Sequence, residues 1–98
     1  MIRHILLVKF KLEATVEQIL DVRKHFLKIP FLIHGIESVE WGENNSPEGK
    51  NEGYTHCIFM TFRDELARQQ YLPHEEHIKL KNIFRPIIQS IIVFDYIK

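Results

Sequence analysis

Cysteine is almost missing from this chain: Cys57 is the only one among 98 residues. A lone thiol excludes an internal disulfide and fits a reducing compartment. An excess of either charge is missing too, because 13 Lys and Arg residues balance 13 Asp and Glu. Without a basic stripe there is no electrostatic footprint for nucleic acid, so that partner is excluded. Long apolar runs are also absent. The opening Met1-Ile2-Arg3-His4-Ile5-Leu6-Leu7-Val8-Lys9 is too short for a signal peptide or a membrane span. A cytoplasmic protein with no membrane partner is expected. No linker or low-complexity tract divides the sequence, and residues 1–98 are expected to form one domain.

What is present is a hydrophobic fraction of 45 %, enough for a small core that gains from further burial in an oligomer. From Ile2 to Phe10 the pattern alternates, with Ile2, His4, Leu6, Val8 and Phe10 on one face of a strand. Arg3, Ile5, Leu7 and Lys9 share the other face. Thr15-Val16-Glu17-Gln18 reads as a capping box. The helix it opens carries Ile19, Val22, Phe26 and Ile29 at helical spacing and is expected to stop near Pro30. Gly35 leads into a short strand over 36–42. Turn and charge chemistry marks 43–53 as an exposed loop. A third strand is expected over 54–62, with Tyr54, His56, Ile58, Met60 and Phe62 on one face. Asp64 can cap a second helical region, and Pro73 fits the first turn of a new helical segment. A β-branched strand over 87–96 closes the chain.

The order is βαββαβ, the α+β, ferredoxin-like arrangement of a four-stranded antiparallel sheet with two helices on one face. Alternation in the last strand sets Ile88, Ile92 and Phe94 against Ile87, Ile91 and Val93, so both of its faces are apolar. Two helices cover one face, and the other is expected to pack on the sheet of a second copy as a homodimer.

Ionisable side chains concentrate in Tyr71-Leu72-Pro73-His74-Glu75-Glu76-His77. Tyr71, His74 and His77 recur every third residue, which predicts one broad side of a helix. His4 and His56 sit among apolar positions near the starts of strands one and three, where an ionisable group costs free energy unless paired or functional. Those strands run antiparallel in this topology, which puts the two histidines towards opposite ends of the sheet. His56 is then the expected companion of His77. His4 also has a plain structural reading, a core histidine bonded to a backbone carbonyl. Trp41 reads as a packing anchor, and Glu75 and Glu76 as a solvated face.

Five features in order resemble one known family. They are His4 in strand one, Trp41-Gly42 ending strand two, Gly53-Tyr54-Thr55-His56, the Tyr71…His74…His77 run and Phe94-Asp95-Tyr96. Over essentially the whole chain they resemble the stress-responsive dimeric α+β barrel domain. The resemblance implies a dimer in which two sheets close an α/β barrel. It also points to the chemistry of a plant polyketide cyclase of that family, an aldol cyclisation with no cofactor and no metal. By position it implies that His77 and Tyr71 are catalytic. It further implies that His4, His56 and His74 with Leu6, Val8 and Ile58 contact a small apolar carbonyl ligand. In that scheme His77 removes a proton α to a carbonyl, and the Tyr71 hydroxyl donates to the developing enolate. His56 would orient His77 or a water. Val22, Arg23 and Phe26 stand where the cyclase lines its pocket with aromatic residues, which implies a pocket that is smaller here or absent, and argues against a long alkyl polyketide substrate.

His74, His77 and His56 could offer three nitrogens to Zn²⁺, but Tyr71 is a poor fourth ligand and no HExxH or second cysteine supports a site. Three function classes stay open: a cofactor-free enzyme acting on a small carbonyl compound (an aldol cyclase or a related isomerase or lyase), a non-catalytic binder of a small apolar ligand, and a stress-linked structural dimer.

Overall fold

The computed structural model describes residues 1–98. It runs β1 (Ile2–Phe10), α1 (Val16–Leu32), β2 (Ile36–Glu43), β3 (His56–Phe62), α2 (Glu65–Tyr71), α3 (Glu75–Phe84) and β4 (Ile88–Ile97), with a 3₁₀ turn at Arg85–Ile87. The strands form one antiparallel sheet in the order β2-β3-β1-β4, the ferredoxin-like arrangement. No helix is long and apolar enough to cross a membrane.

Local signals explain most of the boundaries. Thr15 Oγ1 accepts the Gln18 N–H at 3.1 Å, and Gln18 Oε1 accepts the Thr15 N–H at 2.9 Å, closing the capping box of α1. The helix does not stop at Pro30 but carries it inside and continues to Leu32. The missing N–H falls in the last turn, where Ile33 N–H still reaches the Ile29 carbonyl at 2.9 Å. Gly35 then turns the chain at φ +93°, and a Cβ there would lie 2.6 Å from the Ala67 Cβ of α2. Both the backbone angle and the close approach require glycine.

The second helical region is two helices. Asp64 Oδ1 accepts the Ala67 N–H at 2.9 Å and starts α2. This helix ends at Tyr71, and His74 caps α3. Pro73 therefore lies one residue ahead of the cap rather than in the first turn. Tyr71, His74 and His77 do not share one helical face, because a helix end and a helix start separate them.

Register fixes the faces of the sheet. His4 pairs with Met60 and Asp95, and Leu6 with Ile58 and Val93, so these residues face the helices together. Of these, Leu6, Ile58 and Met60 pack with Val22, Phe26, Ile29, Leu80 and Phe84 into the core. The opposite face carries Ile5, Leu7, Phe59, Ile92, Phe94 and Tyr96. A register shift between Lys9 and Phe10 pairs Phe10 with Ile88. The irregularity moves Ile88 to the helix side with Ile91 and Val93, not to the side of Ile92 and Phe94 as strict alternation had it.

Candidate functional site

The break between α2 and α3 brings Tyr71 and His77 face to face, with ring centroids 4.0 Å apart and planes tilted by 33°. Tyr71 is 2 % exposed. Burial raises its pKa well above the ordinary tyrosine value, so its hydroxyl keeps its proton. Its one partner is the Met60 Sδ at 4.0 Å, a weak acceptor that a ligand oxygen would readily replace.

His77 Nδ1 lies 2.9 Å from the Leu72 carbonyl. A carbonyl only accepts, so Nδ1 carries the hydrogen and Nε2 of the neutral ring keeps its lone pair. Burial pushes the His77 pKa below 6.5; the Leu72 bond opposes this, while Lys81, His4 and Arg85 add to it. At neutral pH the ring is therefore an unprotonated base with a defined tautomer.

His4 packs edge-on to Tyr71, its ring centroid 6.3 Å away. Its Nδ1 is 2.7 Å from Asp95 Oδ1, and Arg68 Nη1 is 3.1 Å from the other oxygen of Asp95. Arg68 also pairs with Glu65. The expected backbone carbonyl partner of His4 is thus a carboxylate, delivered by the His4–Asp95 pairing of β1 with β4. Asp95 orients the ring and leaves Nε2 uncommitted. Its only sequence signal was an acid inside an apolar strand, within the Phe94-Asp95-Tyr96 motif.

His4, Tyr71 and His77 line a cavity of about 360 Å³ between α3 and the β1–β4 half of the sheet. Leu6, Phe26, Leu80 and Phe84 form its inner wall, and Ile91 and Val93 its β4 side. His4, Tyr71 and His77 meet there with two cations, Lys81 and Arg85. The arrangement lines an apolar cavity with two imidazoles, each with Nδ1 committed and Nε2 free, and with a protonated tyrosine.

The model of the stress responsive A/B barrel domain matches residues 2–98. The chain belongs to that family. Olivetolic acid cyclase from Cannabis sativa is 30 % identical over 95 residues, 97 % of this chain and 94 % of the cyclase. The structure of At3g17210 from Arabidopsis thaliana has a TM-score of 0.93 at 30 % identity, covering 100 % of this chain and 95 % of its own. The hydroxynitrile lyase of Passiflora edulis has a TM-score of 0.92 at 21 % identity, covering 99 % and 92 %. A dimeric ferredoxin-like protein of unknown function from Jannaschia has a TM-score of 0.88 at 20 % identity, covering 99 % and 98 %. These last two share the fold.

In this A/B barrel domain the expected site residues divide. His4, Leu6, Tyr71 and His77 share the cavity. Val8 and Ile58, both 0 % exposed, belong to the packed core instead. His74 spends its Nδ1 on capping α3, accepting the Glu76 N–H at 3.0 Å. His56 pairs with Val8, four residues along β1 from His4, which separates the two by about 13 Å. It packs against Phe10 and Trp41 with ring centroids at 4.9 and 5.5 Å. Its Nδ1 is 2.7 Å from Thr55 Oγ1, and burial lowers its pKa against the opposing pull of Glu43. It borders a different recess, of about 490 Å³, shared with Tyr54 and Cys57. The companion of His77 is therefore His4, not His56. No group of three His, Cys, Asp or Glu side chains comes together to hold a metal ion.

Proposed function

We propose that this chain is a cofactor-free enzyme acting on a small carbonyl compound, and that it works as a homodimer. The observation that carries the reading is His77, with Nδ1 bound and Nε2 unprotonated, stacked on the ring of the buried Tyr71 where both line one apolar cavity. His77 Nε2 takes the proton from the carbon α to the carbonyl, and the C–H electron pair moves into the enolate. The Tyr71 hydroxyl leaves the Met60 sulfur and donates to the enolate oxygen. The enolate carbon then attacks a second carbonyl, and the His77 imidazolium returns the proton to the new alkoxide. The similarity to olivetolic acid cyclase supports this aldol-type reading. A cavity of about 360 Å³ lies near the small end of ligand pockets, which favours a compact substrate over a long alkyl polyketide.

The open face of the sheet supports the dimer. Ile92 is 42 % and Phe94 61 % exposed beside Ile5, Leu7 and Tyr96. An apolar surface of this kind marks an interface, and the Jannaschia neighbour is a dimeric protein. Two such faces packed together would close the barrel and leave each cavity on the outside of its own sheet.

Turnover of short β-polyketones tests the chemistry. Relative to the parent chain, His77→Gln should lose about 10²–10⁴-fold in rate. Tyr71→Phe should lose about 10²–10³-fold. Both should keep the parent far-ultraviolet spectrum. Unchanged rates in both variants end the catalytic proposal, and retained ligand binding without turnover in the parent chain assigns a binding module.

A further inference from the structure

The cavity has a reacting end and a cationic end. His77, Lys81 and Arg85 recur every fourth residue, so they form one stripe along α3 and into the turn after it. All three line the cavity, and no Asp or Glu does. Lys79, which lies outside that lining, lies 3.6 Å from Glu75 and 3.4 Å from Glu76. Lys81 and Arg85 make no ion pair with any acid of the chain. Cations near a helix C-terminus favour the helix dipole, which explains their sign but not the stripe facing an apolar chamber without a counter-charge.

Resting on the carbonyl chemistry proposed above, we infer that the substrate is an apolar oxo-carboxylate whose carboxylate seats between Lys81 and Arg85 while its carbonyl meets Tyr71 and His77. The helix rise sets Lys81 and Arg85 about 6 and 12 Å beyond His77 along the axis. The carboxylate is therefore separated from the reacting carbonyl by a chain of several carbons. Leu80, Phe84, Ile91 and Val93 flank that middle stretch and offer it no polar partner. Arg85 supplies a fork that fits two carboxylate oxygens, and Lys81 a point charge. The field of the two cations already reaches the reacting end, where it lowers the proton affinity of His77. A bound carboxylate cancels that field. Of the other groups near the ring, Tyr71 is neutral. His4, held by Asp95, also lowers the proton affinity of His77 but stands at the reacting end, away from the bound carboxylate. Occupation by an acid should then raise the His77 midpoint, and a neutral ligand should not.

Calorimetric titration with 7-oxooctanoic acid, its methyl ester and octyl phosphate provides the test, with the His77 ring followed by NMR. The acid should bind the parent chain about tenfold tighter than the ester at low salt, a preference that shrinks as salt screens it. Lys81→Gln combined with Arg85→Gln should abolish the preference while leaving ester binding intact. Equal affinity for acid and ester, no binding of the acid, or a preference that survives the double variant overturns the inference. Tighter binding of octyl phosphate than of the acid overturns the carboxylate assignment. If the double variant fails to fold, the acid–ester comparison on the parent chain still decides. The readout is binding, so a chain that prefers the acid but turns nothing over fails the catalytic reading and keeps this one.

Discussion

The chain's own helices close one face of the sheet and leave the other open, although both faces are apolar. On the helix side Val8, Ile58, Met60 and Phe62 are each 0 % exposed, whereas Leu7 on the opposite face is 36 % exposed and Phe94 61 %. The same strands supply both sets, because successive side chains point to opposite sides. What differs is the amount of helix available, since α1 and the α2–α3 pair can roof a single face. Even that roof stops short of β4. Ile91 and Val93 face the helices yet remain 39 % and 56 % exposed. The candidate site sits at that unfinished edge. It is a gap between α3 and an edge strand, not a hole in the core.

The sharpest way to break the contrast is to truncate one aromatic on each face. Phe62→Ala should cost about 3–5 kcal/mol in denaturant unfolding. Phe94→Ser should cost under about 1 kcal/mol in the isolated protomer. Equal losses would show that both faces are closed within the chain. A second test places a charge on the open face. Phe94→Asp should weaken the proposed dimer by about 2–4 kcal/mol in sedimentation equilibrium. Undisturbed association would move the interface elsewhere.

A smaller effect reports on the covered face alone, through pH. His56 and His77 both lie on the helix-covered side of the structure, and burial lowers both pKa values below 6.5. As pH falls through 6.5 the unfolded chain takes up these protons first and the folded chain only later. Their contribution is therefore intact above 6.5 and is lost below it. Replacing both by Gln should flatten the fall in melting temperature below pH 6.5, and a slope unchanged by the substitutions would contradict their burial. The smallest expected change is catalytic. His56→Gln should alter turnover less than about twofold, because the ring is committed to Thr55 and a separate recess. A loss comparable to that of His77→Gln would return His56 to the site.

Most of the fold was legible because its signals are local. The capping box at Thr15, the Asp64 cap and the strict alternation of β1 each act within a few residues. Errors arose where a local rule met tertiary packing. Pro30 was absorbed into the last turn of α1, and the shift at Lys9 turned Ile88 to the other face. At the site, Tyr71 and His77 were legible as chemistry, but as members of one helix. Their contact depends instead on the chain breaking between them. Asp95 and the cationic stripe gave little warning, because an acid or a lysine has no meaning until its neighbours are known.

By itself, then, the sequence determined the order of elements, the two apolar faces and the presence of a Tyr–His pair, since each follows from spacing along the chain. Only the tertiary structure decided which histidine meets which partner. His4 and Asp95 are 91 residues apart and become neighbours through strand register alone. His56, chemically identical to His4, is carried by the same register about 13 Å away. A register offset acts on every residue of a strand at once, and no single residue type encodes it.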